Sequence, residues 1–340
     1  MGRKILIIKP SSMGDIIHAL PVLATLRKHY PKAEIAWIVK NKFSGLLAEN
    51  PDLTDVIPFD NNSFLQLINI LRKKKFDVAL DLQGLFRSGI LAYFSKASRR
   101  IGFSKINSRE LSHIFYNHKV TPPQKAVHVV DKNLSLLEPL GISEYIYDFK
   151  IPISAQDLRF AKDFFTSEKL VPKRDKIIML NPGAGWPTKR WPAENFPRLA
   201  DKLTKDSSAN SNANAKVIIS WGPQEKGLIE NIKSNENNRI AIMPQSTIKQ
   251  LAAIIKSCDL FVGSDTGPTH LAAALEVPVV GLYGPSDPKR NGPYGTKNII
   301  IQKDIPCASC WKRKCDRIDC MKNISVDEVF EACMKLLVTK

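Results

Sequence analysis

A loop close to the start of the chain carries the first candidate for acid–base chemistry. It runs from Pro10 to Asp15, between an apolar run and a pattern with helical spacing. Gly14 permits a tight turn, and Asp15 stands at the positive end of the predicted helix. Two interpretations stay open for this aspartate. It is either a helix N-cap or a carboxylate that takes a proton from a substrate hydroxyl.

A second loop, residues 181–192, joins a predicted strand to a predicted helix and places small residues beside a cation. Gly183 to Gly185 would let backbone N–H groups approach an anion, and Lys189 would add a mobile positive charge. The loop lacks the spacing of a Walker A motif, and no G-x-G-x-x-G fingerprint occurs in the sequence. The sequence therefore argues against a dinucleotide oxidoreductase. A structural turn with a solvated lysine is the alternative interpretation of this loop.

A third loop, again between a predicted strand and a predicted helix, contains several small hydrogen-bond donors. Its candidate ligand-binding residues are Asp265, Thr266, Gly267, Thr269 and His270. Donors at a helix N-terminus suit a diphosphate. Asp265 could cap the helix, pair with His270, or accept a hydrogen bond from a sugar hydroxyl. Because His270 stands on the first turn beside the predicted anion site, we expect it to take part in binding.

Four cysteines fall within 14 residues near the end of the chain: Cys307, Cys310, Cys315 and Cys320. Four thiolates could form a tetrahedral zinc site, and the basic residues between them would offset the thiolate charge. A reduced, partly buried loop is the alternative interpretation. A zinc deaminase is excluded, because no histidine in the sequence begins the required H-x-E motif.

Strands that alternate with helices position these loops. In the first half, the pattern predicts strands at 4–9, 33–39, 56–59 and 78–82 and helices at 15–30 and 64–75. In the second half, it predicts helices at 193–203, 247–256 and 269–275 and strands at 176–180, 216–220, 260–262 and 279–283, the last of which closes the sheet. Such alternation implies mostly parallel sheets covered on both faces. The predicted fold class is α/β with two doubly wound, Rossmann-like domains that bind ligands outside the carboxyl ends of their strands.

The region 150–175, which contains prolines and an amphipathic stretch, separates the two halves. We expect one domain over residues 1–165 and a second over residues 166–340. The second domain would end with a cysteine-rich segment, residues 307–320. If the two domains face each other, the loops after their strands meet across one cleft.

The composition is that of a globular protein with a strong positive charge. The chain has 340 residues, of which 44% are hydrophobic and 24% charged, and its formal net charge is +17. The basic residues are spread over both halves, so we expect an anionic partner such as nucleic acid, an acidic membrane or a phosphorylated substrate. No apolar stretch is long enough for a membrane span, and the N-terminus lacks a signal-peptide core. We therefore expect a cytoplasmic protein whose cysteines are thiols or metal ligands.

Taken together, the loops resemble those of the bacterial lipopolysaccharide heptosyltransferases, enzymes of the GT-B fold that use ADP-heptose. The opening of the chain is similar to the first strand, catalytic loop and first helix of the type I enzyme. The similar segments in chain order are 4–31, 81–88, 115–117, KRWP at 189–192, SDTGPTHLAAAL at 264–275 and GLYGPSDP at 281–288. The resemblance covers almost the whole chain, in order.

The resemblance implies an inverting transfer of heptose from ADP-heptose to the Kdo or inner-core region of lipopolysaccharide, with no cofactor required. Asp15 matches the family's catalytic aspartate and would be the general base. Lys189 matches the substrate-binding lysine, and Asp265 and His270 match the donor-site residues. The residues expected to bind the donor in the second domain are Ala184, Gly185, Lys189, Gln224, Glu225, Asp265, Thr266, Gly267, Thr269 and His270.

The implied acceptor, Kdo-lipid A or inner-core lipopolysaccharide, carries phosphates and carboxylates and would bind the first domain. The residues expected to hold it are Ser12, Gly14, Arg72, Lys73, Lys75, Arg99, Arg100 and Lys119. The positive charge also suits an anionic inner leaflet, so we expect a peripheral location on the cytoplasmic face of the inner membrane. For each cation, a solvated surface charge is the alternative interpretation.

Two alternative functions stay open. Within the enzyme class, the chain could transfer heptose onto heptose as type II enzymes do, because the cysteine-rich segment departs from the type I pattern. In a different class, a zinc-containing nucleic-acid-binding protein would explain the charge and the cysteines. It would not explain three glycine-containing loops between strands and helices, so we expect no nucleic-acid partner.

Overall fold

The computed structural model describes residues 2–60, 63–210, 215–222, 225, 227, 240–295 and 297–338, with the backbone alone at 206–210. The chain divides into two compact units, Met1–Pro152 and Ile153–Lys340. Each unit contains one six-stranded sheet with helices packed on it. The predicted fold class, α/β with two doubly wound domains, is confirmed.

The sheet of the first unit is parallel throughout. Its strands are β1 (Lys4–Ile8), β2 (Glu34–Lys40), β3 (Asp55–Phe59), β4 (Val78–Asp81), β5 (Arg99–Phe103) and β6 (His118–Val120). They lie in the order β3-β2-β1-β4-β5-β6. The order reverses between β1 and β4, which is the point where doubly wound sheets bind ligands.

The first unit has two helices where the sequence predicts one, at 15–30. Pro21 explains the interruption, because it has no N–H for the carbonyl of Ile17 and its ring would collide with that carbonyl in a continuous helix. The helices of this unit are α1 (Met13–Ile17), α2 (Leu20–His29), α3 (Asn41–Leu47), α4 (Phe64–Lys74), α5 (Phe86–Phe94) and α6 (Val129–Ser135). The interruption leaves α1 as a short helix that carries Asp15.

The sheet of the second unit has the same topology. Its strands are β7 (Lys176–Asn181), β8 (Ala215–Ile219), β9 (Ile240–Ile242), β10 (Leu260–Ser264), β11 (Val279–Tyr283) and β12 (Asn298–Gln302). They lie in the order β12-β11-β10-β7-β8-β9, which reverses between β7 and β10. The prediction that 279–283 closes the sheet is wrong, because β12 pairs with β11 on its outer side.

Helices cover both faces of the second sheet. They are α7 (Ala155–Ser167), α8 (Asn195–Asn210), α9 (Ile248–Lys256), α10 (Gly267–Ala274), α11 (Pro288–Asn291), α12 (Asp319–Lys322) and α13 (Val326–Val338). Trp191 is fully buried in this core and donates from Nε1 to the carbonyl of Ile324 at 2.9 Å. Within the described parts of the chain, no helix is long and apolar enough to cross a membrane.

The division between the units lies after Pro152, inside the region 150–175 that the sequence marks as a linker. The predicted boundary between residues 165 and 166 instead falls inside α7. This helix packs on α9 of the second unit, so the chain from residue 153 onward belongs with the second sheet.

Candidate active site

Two loops of the second unit meet where its strand order reverses. Lys189 follows β7, and Asp265 and His270 follow the neighbouring strand β10. Lys189 Nζ donates to Asp265 Oδ2 at 2.5 Å, and His270 Nε2 donates to Asp265 Oδ1 at 3.0 Å. Three of the residues predicted to bind the donor thus form one hydrogen-bonded cluster.

The cluster is buried and charged. The side chains of Asp265 and His270 are each 5% exposed, and that of Lys189 is 13% exposed. Burial by itself would raise the pKa of Asp265, but the hydrogen bond and charge of His270 and the charge of Lys189 outweigh it and hold the pKa well below the ordinary 3.8. Two N–H groups of Lys189 are directed at the carboxylate and the carbonyl of Asp265. An ammonium has three N–H donors, so Lys189 can hold Asp265 and still donate to a ligand oxygen.

Side chains of the cysteine-rich segment, residues 307–320, pack against the loop that carries Lys189. The Lys189 ammonium lies 4.3 Å from the ring centroid of Trp186, and the Arg313 guanidinium stacks on the same ring at 4.7 Å. Thr188 Oγ1 donates to the carbonyl of Lys312 at 2.8 Å. Sequence reasoning missed these contacts.

The backbone of the cysteine-rich segment is fastened to the loop after β11. Ser309 N donates to the carbonyl of Gly284 at 2.9 Å, and Trp311 N donates to that of Pro285 at 2.7 Å. The Trp311 ring meets the Trp186 ring edge-on, with centroids 6.5 Å apart. The cysteine-rich segment is therefore hydrogen-bonded to the loop after β11 and packs against the loop that carries Lys189.

The backbone around Ala184 and Gly185 is held in one conformation. Ala184 is buried, and its carbonyl accepts hydrogen bonds from Arg190 Nε at 3.2 Å and Nη2 at 3.1 Å. Gly185 is exposed, and no atom stands within 4 Å of the position that a Cβ would take there. This loop can offer backbone, rather than side chains, to an anion.

The N-terminus of α10 supplies the other predicted phosphate donors. Thr266 is the N-cap, and Gly267 is the first residue of the helix. Thr269 is buried, and its hydroxyl donates to the carbonyl of Ser264 at 2.5 Å, so this hydroxyl is engaged within the fold. The Thr266 hydroxyl contacts that of Thr269 at 3.1 Å, and Pro268 has no N–H, so the donors that the first turn of α10 can present to a ligand are the backbone N–H groups of Gly267 and Thr269.

Glu225 lies against the backbone of the loop after β7. Its Oε2 accepts a hydrogen bond from Gly222 N at 2.8 Å. A Cβ at Gly183 would stand 1.9 Å from Glu225 Oε2, so this close approach requires glycine. Gln224, the other residue predicted near the donor, lies outside the described residues.

In the first unit, Asp15 lies in the first turn of the short helix α1, next to the buried Gly14. The N-cap of this helix is Ser12, and Asp15 is the third residue of the helix, where its carboxylate accepts from the Ser12 N–H in a capping box; Asp15 is therefore not the N-cap itself but does cap the helix. Asp15 Oδ2 accepts hydrogen bonds from Ser12 N and Oγ, both at 2.8 Å, and the side chain is 33% exposed. Lys9 Nζ stands 3.8 Å from Asp15 Oδ1 and donates to the carbonyl of Leu82 at 2.9 Å. Lys9, which sequence reasoning treated as the end of a strand, thus places a positive charge beside the carboxylate.

Asp81 ends β4, the strand beside β1, and organises the turn that follows. Its Oδ1 accepts hydrogen bonds from Gln83 N at 2.9 Å and Gly84 N at 3.1 Å, and its Oδ2 accepts one from Tyr116 Oη at 2.6 Å. Complete burial raises the pKa of Asp81, although these hydrogen bonds lower it in part. Gln83 Oε1 accepts a hydrogen bond from Ser11 N at 3.4 Å. The turn after β4 therefore supports the loop after β1.

The structure does not bring the cations predicted to hold the acceptor to Asp15. Five of them stand at the amino edge of the first sheet, opposite Asp15: Arg72, Lys73, Lys75, Arg99 and Arg100. The two edges are about 13 Å apart along a strand of this length. Lys119 stands on β6, three strands from β1, or about 14 Å across the sheet.

A cavity of about 740 Å³ opens at the carboxyl edge of the first sheet. Pro10 and Ser11, from the loop that carries Asp15, line one side of it. Two cations, Lys40 and Arg87, and one carboxylate, Glu110, also line it, together with several apolar side chains. Sequence reasoning missed both cations. Lys40 is the last residue of β2, and Arg87 lies in the first turn of α5.

The structure does not gather the four cysteines into a ligand set. Cys307, Cys310 and Cys315 are exposed, and Cys320 is buried. Within the part of the chain that the structure describes, no three His, Cys, Asp or Glu side chains are placed to hold a metal ion together. Zinc binding by these cysteines stays a prediction from their spacing.

The chain matches the family model of glycosyltransferase family 9 (heptosyltransferase) over residues 64–320. It is similar to the lipopolysaccharide core heptosyltransferase OpsX of Haemophilus influenzae, with 29% identity over 98% of this chain and 97% of the relative. It is also similar to lipopolysaccharide heptosyltransferase 1 of Pseudomonas aeruginosa, with 27% identity over 92% and 87%. Lipooligosaccharide heptosyltransferase 2 of Campylobacter jejuni matches with 27% identity over 98% of each chain. The relatives thus include enzymes of both types 1 and 2.

Solved structures share the fold over the full length of the chain. A glycosyl transferase of family 9 from Veillonella parvula has a TM-score of 0.84 and 25% identity, and covers 99% of this chain and 98% of its own. The E. coli heptosyltransferase WaaC with ADP has a TM-score of 0.77 and 22% identity, with 98% and 99% covered. The matches favour a transferase over the nucleic-acid-binding alternative.

Proposed function

The chain belongs to glycosyltransferase family 9 (heptosyltransferase), and from this membership we propose that it transfers heptose from ADP-heptose to the inner core of lipopolysaccharide. The observation that carries the proposal is the buried cluster of Lys189, Asp265 and His270 where the strand order of the second sheet reverses. Doubly wound sheets bind nucleotides at such a point.

In the proposed donor site, Lys189 meets the diphosphate of ADP-heptose. The bond between the anomeric carbon of the heptose and the phosphate oxygen breaks, and the leaving diphosphate gains charge. An ammonium held in place, with the backbone N–H groups of α10, stabilises that charge as it develops. Asp265 keeps the ammonium in position and is the donor-site aspartate that the resemblance implies. Glu225 would accept hydrogen bonds from the ribose hydroxyls.

Asp15 is the proposed general base. The acceptor hydroxyl attacks the anomeric carbon on the face opposite the leaving diphosphate, so the configuration inverts. The hydroxyl proton passes to the Asp15 carboxylate as the new carbon–oxygen bond forms. The hydrogen bonds from Ser12 hold the carboxylate in one orientation, and its partial exposure lets a substrate reach it.

We propose Kdo-lipid A as the acceptor, which makes the enzyme type I-like. The similarity of residues 4–31 to the type I catalytic loop supports this choice. Lys40 and Arg87 would pair with acceptor carboxylates and phosphates close to the reacting hydroxyl. The six cations predicted earlier would contact only more distant parts of a large acceptor. A peripheral position on the cytoplasmic face of the inner membrane belongs to the same proposal.

The test is a transfer assay on two acceptors, followed by mass spectrometry. Purified protein is given ADP-heptose with Kdo2-lipid A, or with the same acceptor already carrying one heptose. Product from the bare Kdo acceptor supports the type I assignment. Transfer only to the heptosylated acceptor supports the type II alternative, and transfer to neither refutes the proposed reaction.

The proposed reaction requires no cofactor, because Lys189 and the amides of α10 supply the positive charge that the leaving diphosphate needs. A structural zinc ion on Cys307, Cys310, Cys315 and Cys320 is a separate proposal. It is tested by metal analysis of the purified protein and of its Cys310→Ser variant.

A further inference from the structure

The carboxyl edge of the first sheet exposes large apolar side chains in the segments that follow three of its strands. Leu65, Phe86, Ile106 and Leu111 are 77%, 41%, 88% and 62% exposed, and we call these four residues the apolar rim. Leu65 follows β3, Phe86 follows β4, and the other two follow β5. A single exposed apolar side chain is ordinary, but several along one edge of a sheet indicate an interaction surface.

A hydrogen bond joins the start of α5 to the segment after β5 that carries Ile106 and Leu111. Phe86 N donates to Glu110 Oε2 at 3.3 Å, which holds the neighbouring Leu111 beside the start of α5. Phe64, next to Leu65 in the chain, lines the 740 Å³ cavity together with Phe86. The apolar rim therefore borders the cavity into which Lys40 and Arg87 project.

Basic side chains stand among the apolar ones. Among the described residues that directly follow β2, β3, β4 and β5, namely 41–42, 60, 82–87 and 104–111, four exposed residues are basic and two are acidic: Lys42, Arg87, Lys105 and Arg109, and Asp60 and Glu110. Apolar side chains interspersed with cations match the interface of a bilayer that has anionic headgroups.

We propose that the apolar rim and its basic neighbours dock the first unit on an anionic lipid bilayer. The proposal rests on the proposed function, under which the acceptor is itself a lipid. Pro10 and Ser11 line the same cavity, so docking turns the loop that carries Asp15 toward the headgroups. A protein bound over this edge would keep the acceptor away from Asp15. A bilayer both covers the edge and supplies the substrate.

The test is sedimentation with large vesicles of phosphatidylcholine, with and without phosphatidylglycerol. The wild-type protein binds the anionic vesicles, and binding weakens as salt is added. In the Ile106→Ser/Leu111→Ser variant the partition coefficient falls about 10- to 100-fold, because two large apolar side chains no longer enter the interface. The matched control, Leu158→Ser/Val171→Ser, changes two exposed apolar side chains of the second unit and binds as wild type does.

Turnover distinguishes this proposal from the proposed function. Ile106 and Leu111 are not among the residues that line the cavity, so their double variant keeps wild-type turnover on a water-soluble Kdo fragment. It loses turnover only on acceptor embedded in vesicles. If the wild type uses neither acceptor, the proposed function fails while the vesicle measurement still decides the docking.

Three results would overturn the docking proposal. The first is a wild-type protein that does not sediment with anionic vesicles. The second is an Ile106→Ser/Leu111→Ser variant that binds them as wild type does. The third is a wild type that self-associates in the ultracentrifuge while this variant does not, because the apolar rim would then be an interface between copies of the chain.

Discussion

Removing the charge of Lys189 should lower the stability of the second unit. In Lys189→Met the alkyl stem beside Trp186 is retained, while Asp265 loses the ammonium that stands 2.5 Å from its Oδ2. Loss of one partner from a buried ion pair destabilises a protein by about 3–5 kcal/mol. His270 still donates to Asp265, so we expect the lower end, about 3 kcal/mol. For a unit of this size the Tm then falls by about 6–12 °C.

The pH dependence and a matched control separate this effect from a general loss of a lysine. Because the pKa of Asp265 lies below 3.8, its stabilising contribution is present above that pH and is lost as the pH falls below it. The difference in the free energy of unfolding between wild type and Lys189→Met should therefore shrink in acid. Lys162→Met, on the exposed face of α7, should change the free energy of unfolding by less than about 0.5 kcal/mol.

The same variant tests the role of Lys189 in transfer. A fixed donor aimed at developing negative charge contributes about 10²–10³ to kcat, so kcat/KM for ADP-heptose should fall at least that far in Lys189→Met. Calorimetry should show weaker binding of ADP. The double variant Lys189→Met/Asp265→Asn removes the unpaired buried charge, so it should regain stability but not turnover. Unchanged turnover in Lys189→Met, or a double variant as unstable as the single one, would refute the reasoning.

Three further outcomes are expected. Asp15→Asn should abolish transfer while calorimetry shows near-wild-type binding of ADP-heptose, because the base acts on the acceptor; near-wild-type turnover would leave Asp15 only a helix-terminus role. Tyr116→Phe removes the 2.6 Å hydrogen bond to the buried Asp81 and should lower the free energy of unfolding by about 1–3 kcal/mol, and an unchanged urea midpoint would contradict this. Trp311→Ala removes the ring that meets Trp186, so steady-state kinetics should show KM for the donor rising several-fold with a smaller change in kcat; the same KM would mean that the segment does not brace the donor loop.

The sequence predicts most accurately the strands whose two faces are both buried. Strands β1, β2, β7 and β11 lie within about two residues of their predicted bounds, because parallel strands covered on both sides are nearly continuous apolar runs. The three-residue strands β6 and β9 are too short to show a period. Strand β12 has a visible signal in Ile299 to Ile301, but no local pattern specifies that it pairs outside β11.

The site divides in a similar way between local and tertiary features. Asp15, Lys189 and Asp265 stand in loops whose glycines and flanking strands are visible in the sequence. The contact between Thr188 and Lys312 joins residues 124 positions apart, and no spacing rule connects them. For this reason the sequence indicates only a metal site or a reduced loop for the cysteine-rich segment, although this segment also packs against the loop that holds Lys189.

A positive charge alone does not show which lysines and arginines of the first unit lie near Asp15, because their place relative to the strands decides this. In a parallel doubly wound sheet, residues that follow a strand lie at the carboxyl edge, where ligands bind, and residues that precede a strand lie at the amino edge. Asp15 follows β1 and so lies at the ligand edge. Arg72 precedes β4 and Arg99 begins β5, so both lie at the opposite edge, whatever their charge. Lys40 ends β2 and Arg87 lies in the first turn of the helix after β4, which puts both at the same edge as Asp15. Under the proposed function, Lys40 and Arg87 therefore lie on the side of the sheet where an acceptor hydroxyl would meet Asp15, and Arg72 and Arg99 do not.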